Sequence, residues 1–214
     1  MAHKIDSKIK GYSLVKPKEK VEAPTPAYTK ISMHENLARP EILVGATYKV
    51  KPPQSEHAFY ITVNDMVLNE GTDHEERRPY EIFINSKNTE NFQWVIAVTR
   101  VISAVFRKGG DIVFLVEELK AVFDPRGGYF KKGGVFMPSI VAEIGWVLES
   151  HFTRIGLIKP KVLDTNIQKF IEEKKAGLSE FPATATVCPK CSVKAAVLMD
   201  GCSTCLSCGD SKCN

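Results

Sequence analysis

This sequence predicts an α+β fold, a small sheet of about three strands packed with three helices, followed by a separate C-terminal module. Three observations carry that expectation. Short stretches in the first half alternate apolar and polar residues and are rich in β-branched and aromatic side chains. Three longer stretches then repeat apolar residues at helical spacing, divided by Gly-Gly, Asp-Pro and a glycine-rich loop. All six cysteines fall between Cys188 and Cys213. A chain of 214 residues has room for one well-cored domain and appendages.

Residues 1–38 are centred on KPKEKVEAPTPAYTK, a lysine- and proline-rich composition that predicts a flexible or docking arm. The α+β domain is expected over residues 39–156. Ile42–Val50 and Ala58–Val63 read as strands, Asn69–Arg78 as a polar turn, and Tyr80–Asn85 (YEIFIN) as a third strand. Asn91–Arg107 places Trp94, Val95, Val98, Val101, Ile102, Val105 and Phe106 at helical spacing, and Gly109-Gly110 closes it. Asp111 is the candidate N-cap of a second helix that turns Ile112, Leu115, Val116, Leu119, Val122 and Phe123 inward before Asp124-Pro125. Gly127–Gly134 (GGYFKKGG) reads as a loop. Pro138 then sits in the first turn of a third helix carrying Ile140, Val141, Ile144, Val147, Leu148 and Phe152. Residues 157–186 form a helical linker, with a charged helix over Asp164–Lys175, and residues 187–214 form the cysteine module.

Composition narrows the function classes. No apolar run is long enough to span a bilayer, and the lysines of the first twenty residues precede no apolar core, so neither a membrane nor a secretory signal is expected. Cysteines crowded at one end of such a chain point to a reducing cytoplasm and to metal or redox chemistry. A net charge of +4 without clustered arginines and aromatics gives no expectation of nucleic-acid binding.

The cysteine module is the strongest chemical signal. CPKC followed by CLSCG reads as two zinc-ribbon knuckles, because a glycine after the second cysteine lets backbone amides turn toward the sulfurs. On that reading Cys188, Cys191, Cys205 and Cys208 bind zinc, and Cys202 and Cys213 remain as a redox pair. A competing assignment makes Cys202 and Cys205 the redox disulfide and gives Cys208 and Cys213 to the metal. A plain structural ribbon needs only four thiols. The two extra thiols, with Lys212 nearby, favour thiol–disulfide exchange.

Nothing else reads as a self-contained active site. GGYFKKGG lacks the spacing of a phosphate-binding loop. His34, His57 and His74 fall in expected loops, and His151 lies near a helix end, where it complements the dipole. Glu75-Glu76 and Glu117-Glu118 read as solvated charge.

Larger blocks carry a resemblance. RPEILVGATYKVK, YITVND, YEIFINSKN, FDPRGGYFKKGG, MPSIVAEIG and GCSTCLSCGDSKC are similar to the C-terminal region of adenosylcobalamin-dependent (class II) ribonucleotide reductases, from about Arg39 to the end. IDSKIKGYSLV near the start resembles a segment of the same proteins. The central block resembles the small α+β domain named for a Thr-Ser-Cys-Pro-Asp signature, although that signature is absent here. The chain is too short for the reductase barrel, so it resembles the small chain of a split enzyme. The resemblance implies a larger catalytic subunit that holds adenosylcobalamin. It also implies a zinc-binding tail that relays electrons, and thioredoxin or a similar reductant as donor. The activity implied is part of a ribonucleoside-diphosphate reductase. The competing reading is a non-enzymatic ribbon that docks or regulates a partner.

Overall fold

In the computed structural model, which describes residues 30–53, 55–87, 92–160, 165–175, 181–199 and 201–213 together with Gly11, the alternating stretches fold into an antiparallel meander. Its strands are β1 (Val44–Val50), β2 (Phe59–Leu68) and β3 (Glu76–Ser86). Most of the predicted arm lies outside the described residues.

Alternation sorts the side chains. Pairing of Val50 with Phe59, Tyr48 with Ile61 and Ile61 with Ile84 sends these residues to one face, together with Val63 and Ile82. On the opposite face lie the rows Lys49–Tyr60–Asn85 and Thr47–Thr62–Phe83.

Three helices cover the apolar face. α1 (Phe92–Lys108) contributes Ile102 and Phe106, α2 (Phe114–Lys120) Leu115 and Val116, and α3 (Ile140–Arg154) Ile144, Val147, Leu148 and Phe152. Phe106 and Phe152 meet edge to face, 5.9 Å between centroids. Gly109 ends α1 at φ 78°, where a Cβ would stand 2.0 Å from the carbonyl oxygen of Met33. No other residue fits there.

The structure refines several expectations. β3 starts at Glu76, so Arg77 and Arg78 belong to the strand and not to the polar turn. Each arginine has a partner: Arg77 Nε donates to Asp65 Oδ2 at 2.7 Å, and Arg78 pairs with Glu76 at 3.3 Å. Asp111 Oδ1 accepts from the Val113 amide at 2.9 Å, but α2 itself starts later and ends at Lys120. Val122 and Phe123 therefore lie beyond the helix and are exposed. Ser139 caps α3, its Oγ accepting from the Ala142 amide at 3.0 Å, so Pro138 precedes the cap and does not lie in the first turn.

The expected glycine loop is a hairpin, β4 (Tyr129–Phe130) and β5 (Phe136–Met137). Buried Tyr129 donates its hydroxyl to Glu143 on α3, and Lys131 pairs with the same carboxylate. Burial first, and then Glu143, pushes the Tyr129 phenol well above its ordinary value. The hydrogen bond thus holds a neutral phenol.

Beyond the domain, α4 (Thr165–Lys175) carries the charged segment, whose expected limits at Asp164 and Gly177 lie outside the described residues. Four short strands follow as an antiparallel meander: β6 (Thr186–Val187), β7 (Lys194–Met199), β8 (Cys202–Cys205) and β9 (Ser211–Cys213). Val193 bridges to Val135, the Phe136 amide donates to the Ser192 carbonyl at 2.7 Å, and the Lys194 amide donates to the Gly134 carbonyl at 2.8 Å. The hairpin is therefore a backbone clamp on the cysteine module. No helix among the described residues is long and apolar enough to cross a membrane.

Candidate metal centre and disulfide

Two turns build the cluster. In the first, the Ser192 amide donates to the Cys188 carbonyl at 2.9 Å, and Ser192 adopts φ 57°. In the second, the Gly209 amide donates to the Cys205 carbonyl at 2.9 Å, and Gly209 adopts φ 71°. Each is a Cys-x-x-Cys turn closed by a left-handed residue. The glycine was legible in the sequence. Ser192 carries no comparable signal, since left-handed serine is uncommon. The Ser207 amide points at Cys205 Sγ from 3.4 Å, and Lys190 pairs with Asp210 at 3.0 Å from one knuckle to the other.

These turns bring Cys188, Cys191, Cys205 and Cys208 together, with all four sulfurs within 4.8 Å of one another. Cys188 and Cys208 sulfurs stand 3.8 Å apart, and Cys191 and Cys205 sulfurs 3.7 Å. Zinc–thiolate bonds of about 2.3 Å in a tetrahedron require sulfurs about 3.8 Å apart. The donor set and its spacing fit zinc.

Burial pushes the Cys191 and Cys208 thiols above their ordinary value. At Cys188 burial acts the same way but is outweighed by the backbone N–H groups of Cys191 and Lys190, and the thiol is lowered. Four adjacent thiolates need a compensating cation.

The apolar support is slight: Ala195, Ala196 and Leu206 pack with Cys188 and Cys205, flanked by Phe181, Val193 and Val197. Gly209 sits against α4, where a Cβ would come within 2.2 Å of Ile167 Cγ2.

Cys202 and Cys213 stand apart from the cluster. They are direct partners in the β8–β9 ladder and form a disulfide, with Cα atoms 4.1 Å apart. Cys213 is exposed and Cys202 half-buried. The pairing Cys202–Cys205 does not form; Cys205 stays among the four free thiols.

A second polar cluster was not read from the sequence. His151 Nε2 lies 2.7 Å from Asp65 Oδ1, and Tyr48 Oη lies 2.9 Å from His151 Nδ1. The side chains of Asp65 and His151 have no exposed surface, and neither lines the open pocket at Lys49 and Tyr60 or the one between β3 and α1. With Arg77 on the other Asp65 oxygen, this chain is a buried brace between β2, β3 and α3. A lone histidine near a helix end gives no hint of an aspartate far back in the sequence.

Comparison with known proteins gave one finding. The family model described as the TSCPD domain matches residues 26–152. No curated protein and no solved structure gives a match.

Proposed function

Because the chain belongs to the TSCPD-domain family, a domain typical of proteins related to class II ribonucleotide reductases, we propose that it is the small redox chain of a split reductase of that class. The single observation that carries this reading is the division of six cysteines into a four-sulfur cluster and a separate, partly exposed disulfide. A ribbon that served only to dock a partner would need the cluster alone.

Each ribonucleotide reduced leaves a disulfide in the active site of the catalytic subunit. In the proposed cycle the reduced Cys202/Cys213 pair supplies two electrons to it. One thiolate attacks a sulfur of that disulfide, forming a mixed disulfide and expelling the other sulfur as a thiolate. The second thiol, losing its proton, attacks the mixed disulfide. The catalytic chain regains two thiols, and Cys202–Cys213 closes. An external dithiol of thioredoxin type reopens it by the same two exchanges. Zinc at the four thiolates supplies folding energy to a module with little core of its own.

Adenosylcobalamin and the radical chemistry belong to the partner in this scheme. The test is reconstitution. This chain alone should reduce no ribonucleotide. Added to a barrel-sized catalytic chain that lacks its own cysteine tail, it should support many turnovers with thioredoxin, and dithiothreitol should replace it in part. Reduction by this chain alone, or unchanged thioredoxin-driven turnover without it, would overturn the proposal.

A further inference from the structure

The exposed face of the sheet carries a second feature that the redox reading does not use. At the end of the meander where β1 leaves and β2 begins lies an open pocket of about 600 Å³, lined by Lys49, Lys51, His57, Tyr60, Asn85 and Lys87, with Ala58 and Glu56. The strand register explains its shape. Lys49, Tyr60 and Asn85 form one cross-strand row. Ala58, just before β2, lines the same pocket as Lys51 and Lys87, which directly follow β1 and β3. A methyl group beside two long side chains leaves a hollow, and the Tyr60 ring, 44% exposed, forms its wall.

The charges around the hollow are unbalanced. Three lysines and a histidine face one carboxylate, that of exposed Glu56. Lys51 donates to the Ser55 carbonyl at 2.6 Å and to the Glu56 carbonyl, which fixes the loop and leaves one N–H donor over. Lys49 and Lys87 have no acidic partner among the described residues. Like charges gathered on one sheet face repel, and an anion removes that cost. Beside them stand an aromatic face able to stack and the Asn85 amide, which offers a donor and an acceptor side by side.

We propose that this pocket binds a free nucleotide, with its phosphates on Lys49, Lys51 and Lys87 over Ala58 and its base on the Tyr60 ring beside Asn85. The juxtaposition selects the class: phosphate alone would not use the ring, and an uncharged aromatic would not use the lysines. The proposal does not rest on the redox reading, since binding is measured on this chain without a catalytic partner.

The experiment is equilibrium binding of ATP to the full chain by calorimetry, with inorganic triphosphate and a short oligothymidylate as separate titrants. ATP should bind in the micromolar range and at least about tenfold more tightly than triphosphate. Lys49→Ala and Lys87→Ala should each weaken ATP by about tenfold. Tyr60→Ala should erase the preference for ATP over triphosphate, and Tyr60→Phe should keep it. All three side chains are exposed, and circular dichroism would verify that each variant folds. No ATP binding at about 1 mM, triphosphate binding as tight as ATP, tighter binding of oligothymidylate, or indifference to the lysine variants would each overturn the proposal.

Discussion

Cys205 stands three residues after Cys202 on the same strand, yet the two sulfurs have different partners: Cys202 is bonded to Cys213, and Cys205 faces Cys191 at 3.7 Å. An odd spacing on a strand turns the two side chains to opposite faces. One face of β8 serves the disulfide and the other the sulfur cluster. Chemistry at the first pair can therefore proceed without unseating the second.

Metal analysis checks that separation. One zinc per chain is expected, and Cys188→Ser or Cys191→Ser should lose it. Cys202→Ser and Cys213→Ser should keep the full complement. Zinc lost from Cys213→Ser but retained in Cys202→Ser would move the redox role to Cys202 and Cys205.

Turnover gives the complementary readout. With a pre-reduced catalytic chain, Cys202→Ser and Cys213→Ser should each allow about one turnover and then stall, because one thiol cannot complete the exchange. Rapid-quench product counts decide the matter, and sustained turnover driven by thioredoxin would exclude both residues.

Chelation separates module from domain. A zinc chelator should unfold the ribbon, whose buried apolar support besides the cysteines is Ala195, Ala196 and Leu206. The helices around Phe106 and Phe152 should persist, because their core is independent of the sulfurs. Far-UV circular dichroism should show most of the helical signal retained; its complete loss would make the ribbon integral to the domain.

Acid should weaken the domain at Glu81. The Arg39 guanidinium, bonded to both carboxylate oxygens at 2.8 and 3.0 Å, outweighs burial, and with Asn64 it holds Glu81 below its ordinary value. A carboxylate depressed in the folded state contributes stability above its unfolded pKa of about 4.3, and the contribution is lost as pH falls through the folded value. Urea midpoints should drop in this range below pH 4.3. In Arg39→Ala that drop should shrink.

The buried brace predicts a larger effect. Asp65→Ala would leave His151 Nε2 and the Arg77 guanidinium without their partner, and should cost on the order of 3 kcal/mol in urea unfolding. A change under about 1 kcal/mol would mean that water or a rearranged side chain replaces the carboxylate.

The sheet and helix faces were legible because Ile61, Val63, Ile82 and Phe106 obey simple periods. The cysteine turns were legible through spacing and Gly209. Long-range pairings were not: nothing local ties Asp65 to His151, Val135 to Val193 or Gly209 to Ile167. The early start of β3 was hidden because Arg77 and Arg78 read as loop charge until their partners are in view. The end of α2 was hidden because Val122 and Phe123 keep the helical period past the point where the chain leaves the helix.

The four-strand order puts β9 at the margin of the ribbon, far from the clamp at Val193, with β8 as its neighbour. When the Cys202–Cys213 bond opens, the cross-link between β8 and β9 is gone, and β9 is held by its backbone connection through Asp210 and by the ladder alone. Three extended residues span about 10 Å. In the proposed relay the moving part would be a short flap at the rim, and the two Cys-x-x-Cys turns would be its stationary hinge block.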